Sequence, residues 1–320
     1  MSEGTERHDG DTPLLATSAG LVMLAGAQGL VWGSASPVVK RCFEVFSLDG
    51  APVADLLLFC GVRFILAGML GIAVGSMRRG HALVPKGTVW GHVLLISLFQ
   101  TTIQFSLDYV GLAHTTGTAA SIIESGAGFF AILISALAFR YEKLTSRKLL
   151  GVAVGFAGVL LINLQGADLS GGFTLTGEGL ILLSTISAGM TPSLMTRFLR
   201  KGDDQFLLSG WQFLLGGATI TLGSLIAGGT WHAASTPLGY LGFLYVAGVS
   251  TIALTIQGTL LKWHPVSKIA VFGFLMPVFG VILSATMLGE AATVSWPPVL
   301  CALALVCVGI VITNTAPSED

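Results

Sequence analysis

The sequence predicts an all-α membrane protein in which ten transmembrane helices form a 5+5 inverted repeat. Three observations predict it. Of 320 residues, 53% are hydrophobic and only 10% charged, with a mean hydropathy of +0.82, whereas a soluble domain carries about 25% charged residues. Too few charges remain to cover a water-facing surface, so most of the outside must face lipid. Ten stretches are long and apolar enough to span a bilayer, which takes about 20 residues each. The last five of them also resemble the first five at a nearly constant offset.

Residues 1–15 carry Glu3, Glu6, Asp9 and Asp11 against Arg7 and offer nothing to bury, so they read as a disordered cytoplasmic tail. The apolar run at 14–39 has no basic leader or small-residue cleavage site and is too long for a signal-peptide core. It is therefore read as a retained first helix. The ten spans fall at about 16–40, 53–77, 88–112, 116–139, 147–164, 177–199, 206–228, 238–261, 268–289 and 296–314. Polar or Gly/Pro-rich breaks at 47–52, 78–87, 165–172 and 228–237 separate several of them. The links between helices 3 and 4 and between helices 8 and 9 are only a few residues long. The first five-helix repeat covers 16–164 and the second 177–314, which leaves no room for a soluble domain.

Basic side chains set the orientation. Arg78, Arg79 and Lys86 follow helix 2, and Arg140, Lys143, Arg147 and Lys148 follow helix 4. Arg197, Arg200 and Lys201 close helix 6, and Lys262 and Lys268 flank the turn after helix 8. Links after odd-numbered helices hold only Lys40 and Arg41. This bias places both termini in the cytoplasm of a multi-pass protein of the cytoplasmic (inner) membrane. It also supports the count of ten, because a missed helix would scramble the alternation.

The internal repeat runs at an offset of about 149–150 residues. Asp55, Gly61, Phe64 and Gly68 match Asp204, Gly210, Phe213 and Gly217. Ser135 and Ala136 before Glu142 match Ser284 and Ala285 before Glu290, and Pro37 matches Pro192. Five helices is an odd number, so the two copies must lie in opposite orientations. Inverted repeats are the mark of many secondary transporters, with substrate bound near the midplane between the halves.

Several motifs resemble one family. They are Trp32-Gly33-Ser34 with Lys40 eight residues after the Trp, and Arg63-Phe64-Ile65-Leu66-Ala67 in helix 2. Glu142-Lys143-Leu144-Thr145 followed by Gly151 and Gly158, and Pro277-Val278-Phe279 before Gly289-Glu290, complete the set. In this order the set resembles the drug/metabolite transporter superfamily, in its ten-helix EamA-type branch, over nearly all the chain after residue 18. The first copy departs from the second in having Gly128 where the second has Pro277. The resemblance implies a 5+5 inverted-repeat fold and export or exchange of a small solute. It does not name the solute.

Charges inside a bilayer are expensive, about 2.5–3.5 kcal/mol at a helix centre on insertion scales, and a retained one is a functional candidate. Arg63 in helix 2 and Glu124 in helix 4 each lie about ten residues, or about 15 Å, below the outer end of their helix. They are expected to face one cavity and to pair; the alternative is a buried ion pair that only locks helix 2 to helix 4. A carboxylate in the membrane interior can take up protons near neutral pH, so a proton is one coupling partner and a counter-solute the other. Gln100, Gln104 and Asp108 recur every four residues along one face of helix 3 and, with Gln28 of helix 1, are expected to line the cavity. Interhelical hydrogen bonding, worth only about 0.6 kcal/mol on average, is the alternative.

In the second half Gln212 stands where the first has Arg63, Gly273 where it has Glu124, and Gln257 near the depth of Asp108, with Thr251 and Thr255 beside it. Trp32 and Trp211 lie inside spans and join the candidate substrate-binding set. Trp90, Trp231 and Trp296 read as interfacial residues. Pro37, Pro192 and Pro277 interrupt apolar runs and are candidate kinks or hinges. Gly151, Gly155 and Gly158 space helix 5 for close packing, internal or in a homodimer; monomer and homodimer both remain open. Glu142 and Glu290 read as structural, as caps or neutralisers of nearby cations.

The four cysteines show no Cys-x-x-Cys spacing and read as small packing residues. No metal, cofactor or nucleotide motif is visible; a net charge of −1 says nothing about nucleic acid, and no basic patch suggests it, so none is expected. Among the histidines, only His92 falls in a span, and no His-Glu-x-x-His or membrane aspartate dyad is present, so an intramembrane enzyme is disfavoured. A channel or scaffold is the other rival. The expected function is a secondary transporter that moves a small metabolite, such as an amino acid or amine, across the lipid bilayer by alternating access. It is expected to be an exporter or exchanger.

Overall fold

The computed structural model describes residues 14–115, 117–164, 174–287 and 296–315. The expected tail, the link after helix 5, and Glu290 therefore lie wholly or largely outside the described residues. Within them the chain is helical and contains no strand. Nine helices are long and apolar enough to cross a membrane: α1 (Ser18–Val45), α2 (Val53–Arg79), α3 (Val89–Leu112), α4 (Ala119–Ala138), α6 (Leu175–Arg200), α7 (Gln205–Ile226), α8 (Pro237–Leu261), α9 (Val266–Met287) and α10 (Trp296–Asn314). With the shorter α5 (Ser146–Asn163), these ten follow the expected spans to within a few residues.

Local chemistry sets many of the ends. Thr17 caps α1, its hydroxyl accepting from the Gly20 amide at 3.1 Å. Asp204 caps α7 by accepting from the Leu207 amide at 3.1 Å. The last turn of α2 closes on Gly80 in the left-handed region, φ +72°. Between the ends, apolar side chains point outward: Leu94, Leu222, Leu300 and Val311 are all more than half exposed. In water that would be a liability; against lipid it is the expected surface.

The helices pack in a pattern that is unchanged when the first five exchange places with the last five. α2 lies along α7, and α5 along α10. α1 packs against α8 and α9, and correspondingly α6 packs against α3 and α4. The α1–α9 and α6–α4 contacts are backbone-close, and glycine makes them so. A Cβ on Gly33 of α1 would sit 2.9 Å from the Met276 carbonyl oxygen of α9. One on Gly189 of α6 would sit 2.9 Å from the Ala131 amide of α4. The glycines of α5 expected to mediate close packing face α9 and α10, so their contact is internal.

Two helices are not continuous. α4 breaks at Ser125–Gly126, immediately after Glu124, where the Gly126 amide bonds to the Ile123 carbonyl at 2.9 Å and the Ser125 hydroxyl to the Ile122 carbonyl at 2.6 Å. α9 tightens into a 3₁₀ turn at Val271–Phe274. Pro277 explains the second break, because its ring collides with the carbonyl four residues earlier, that of Gly273. α3 also carries a π-helical segment over Ser97–Ile103, the kind of insertion that recurs at functional sites. α1 and α6 run as assigned helix straight through Pro37 and Pro192.

Candidate functional site

The breaks in α4 and α9 and the π segment of α3 surround a central cavity of about 340 Å³. Six of the ten candidate residues line it: Gln28 and Trp32 from α1, Gln100 and Gln104 from α3, Glu124 from α4 and Gln257 from α8. Both halves therefore contribute, and the polar stripe of α3 turns its Gln100 and Gln104 inward as its four-residue spacing requires. Among the described residues Glu124 is the one ionisable side chain in the lining. Across from it the second half presents Gly273, the position matched to Glu124 in the repeat. Phe272, Phe274 and Met276 add apolar side chains to the lining.

Asp108 does not line the cavity. Its carboxyl group, from α3, lies within interaction range of that of Glu124 on α4, at the edge of the cavity. Among the described residues one oxygen of Asp108 and the Oε1 of Gln100 are buried without a hydrogen-bond partner. A buried acceptor left unpaired costs about 1–3 kcal/mol.

Three expectations are corrected. Arg63 does not pair with Glu124 and does not reach the cavity. It is only 5% exposed, packed with its guanidinium 4.3 Å from the Phe64 ring centre and 5.9 Å from that of Phe105. Cys60 and Tyr109 lie within its electrostatic reach. Aromatic faces, not a carboxylate, hold the cation. Gln212, its repeat partner, is likewise behind the cavity, fully buried and accepting from the Thr101 hydroxyl at 2.6 Å. It locks α7 to the π segment of α3. Trp211 sits less than two turns into α7, where its indole N–H donates to the Leu83 carbonyl at 2.7 Å and its ring meets Trp90 edge-on. It is an end-of-bundle packing residue. Thr251 and Thr255 are also spoken for, donating to the Ala67 carbonyl at 2.8 Å and the Thr251 carbonyl at 2.7 Å.

Sequence reasoning missed Ser121, Ser125 and Thr191, which line the cavity. The signal was present for two of them: Ser121, Glu124 and Ser125 are spaced i, i+3, i+4 and so share a helix face. Thr191 precedes Pro192 in α6, and only the packing of α6 against α4 turns it inward.

Below the cavity, Glu142 ties the end of α4 to the start of α9. It accepts from the Ser135 hydroxyl at 3.0 Å, the Lys148 ammonium at 2.7 Å and the Ser267 amide at 3.0 Å, and it also bonds the Ser267 hydroxyl. This is the helix-capping and neutralising role expected of it.

A bundle of ten helices with apolar flanks around a central cavity lined by polar and apolar side chains defines a multi-pass integral membrane protein. The sequence profile of the EamA-like transporter family matches residues 19–164 and again 175–315. The chain belongs to this family, and it is a membrane transporter rather than an enzyme. It is 28% identical to the "Uncharacterized transporter YvbV" of Bacillus subtilis over 89% of this chain and 88% of that one. It is 28% identical to a "Probable amino-acid metabolite efflux pump" of Salmonella typhimurium over 82% and 85%. The "Uncharacterized inner membrane transporter YedA" of Escherichia coli is 25% identical over 83% of each chain. A solved crystal structure, 19% identical, superposes with a TM-score of 0.72 over 92% of this chain and 98% of that chain, which shows the shared fold.

Proposed function

We propose that this protein exports or exchanges a small amine-bearing metabolite, an amino acid or an amine, through the central cavity by alternating access. The observation that carries the reading is the charge of the lining: one carboxylate, Glu124, with no cation beside it, among amides and aromatic rings. An ammonium group pairs with Glu124, and the amides of Gln28, Gln100, Gln104 and Gln257 orient the rest of the solute. With Arg63 outside the lining, an anion-binding pole is absent from the cavity among the described residues, which favours amines over organic acids. The Salmonella relative named as an amino-acid metabolite efflux pump supports the same class.

The Asp108–Glu124 pair supplies the coupling. Two carboxyls in contact are stabilised by one proton between them. A solute ammonium at Glu124 competes with that proton, so proton entry drives solute release. The halves 16–164 and 177–314, preceded by the tail 1–15, act as inverted repeats that rock about the cavity. The exchange-invariant packing of α1 with α8 and α9, and of α6 with α3 and α4, supports this. The basic links after α2, α4, α6 and α8 support an orientation with both termini in the cytoplasm, and the relative named as an inner membrane transporter supports that membrane.

The test is thermal stabilisation of the purified protein by amines, amino acids, organic acids and neutral sugars at pH values either side of neutrality. Amine-bearing compounds should shift the melt saturably, more weakly at the lower pH, and Glu124→Gln should remove the shift while the protein still folds. A shift by organic acids alone, or one that survives Glu124→Gln, would overturn the proposal.

A further inference from the structure

A second cavity lies away from the central one, at the end of the bundle where α4, α6 and α8 finish and α5 and α9 begin. It measures about 720 Å³ and is lined by six cations, Arg140, Lys143, Lys148, Arg200, Lys262 and Lys268, against one carboxylate, Glu142. That carboxylate is already engaged by Lys148 and by the amide and hydroxyl of Ser267. Arg200 lies over the Tyr141 ring at 4.7 Å. Among the described residues Arg140, Lys262 and Lys268 have no acidic partner. The backbone of Arg140 is held in the left-handed region, φ +54°, which a residue with a side chain adopts at a cost and only when its surroundings fix it there. A concave surface with this surplus of positive charge calls for a polyanion.

The rim decides which polyanion. Leu137 and Trp263 line the same cavity and are 66% and 49% exposed. The mouth is therefore apolar and indole-edged on its outer side, where a bilayer begins, while the floor is cationic. We propose that this cavity is a binding site for the phosphate head group of an anionic phospholipid, whose acyl chains leave over Leu137 and Trp263. The cations come from both halves of the chain: Arg140, Lys143 and Lys148 from the first, Arg200, Lys262 and Lys268 from the second. A bound head group bridges them beside Glu142, which makes the same connection from within. Leu261 lines both this cavity and the central one, so the lipid sits one side chain from the transport site. The proposal does not depend on which solute is carried.

The experiment titrates the detergent-purified full-length protein with short-chain phosphatidylglycerol, phosphatidylcholine of the same chain length, and inorganic phosphate, reading the melting temperature. Phosphatidylglycerol should raise it saturably and the other two should not. Arg140→Gln with Lys268→Gln should weaken the lipid titration roughly 30-fold, from two lost cation contacts. Lys86→Gln with Lys201→Gln removes equal charge at positions outside the cavity and should leave the titration in place. If the first pair does not fold, Lys262→Gln alone is read the same way. Equal weakening by both pairs would reduce the effect to general surface attraction and overturn the site. An equal shift by inorganic phosphate would make it a soluble-anion site and overturn the lipid assignment. No saturable shift by phosphatidylglycerol would sink it outright.

Discussion

Glu124 and Gly273 hold corresponding positions in the two halves and line one cavity, yet only one carries charge. A duplicated fold has here kept its backbone symmetry and given up its side-chain symmetry at the point where a solute is read. Arg63 and Gln212 are a second matched pair, and both lie behind the cavity wall. Their polarity was legible in the sequence but their facing was not, because α2 and α7 are apolar on nearly all sides and periodicity gives no inward direction. The same blindness misplaced Trp211. A buried cation that leans on rings instead of a carboxylate is a weak stabiliser. Arg63→Met should therefore leave the melting temperature unchanged or raise it, checked by a melt in detergent; a fall of many degrees would reveal an anionic partner. Thr101→Val should do the opposite, since it strands the buried Gln212 oxygen at a cost of about 1–3 kcal/mol.

At the scale of the helix, the spans themselves were readable to within a few residues, because bilayer thickness dictates their length and basic residues punctuate them. What the sequence concealed was their interruption. Pro277 announced the 3₁₀ turn of α9, but nothing comparable announced the break in α4, which rests on Ser125 and Gly126 bonding back to the preceding turn. Both breaks border the cavity and are the elements best placed to move. Pro277→Ala should regularise α9, preserve folding and slow transport, measured as initial uptake rate against melting temperature. The glycine contacts are less forgiving. Gly189→Val drives a branched side chain into the backbone of α4 and should destabilise by about 1–3 kcal/mol.

Over the whole molecule, Glu142 adds a polar tie between the end of α4 and the start of α9, which also pack directly on each other. Glu142→Ala frees Ser267 and leaves Lys148, only 9% exposed, without its carboxylate. Breaking a buried pair in this way costs about 3–5 kcal/mol. The expected result is a lower melting temperature together with faster labelling of a cysteine introduced at Ser121 from the Glu142 side of the membrane. Faster labelling without destabilisation would make the tie a gate alone. The family resemblance carried by the motifs and the 149-residue offset anticipated this architecture; the chemistry of the site had to wait for the packing of α6 on α4.

The solitary charge in the cavity has an electrical consequence. Loaded with either a proton or a monovalent ammonium, the Asp108–Glu124 pair carries the same charge. One proton exchanged for one ammonium then moves no net charge, and a membrane potential, worth about 2.3 kcal/mol per elementary charge at 100 mV, does no work on the cycle. Transport should follow the pH difference across a vesicle and ignore a potassium diffusion potential imposed on it.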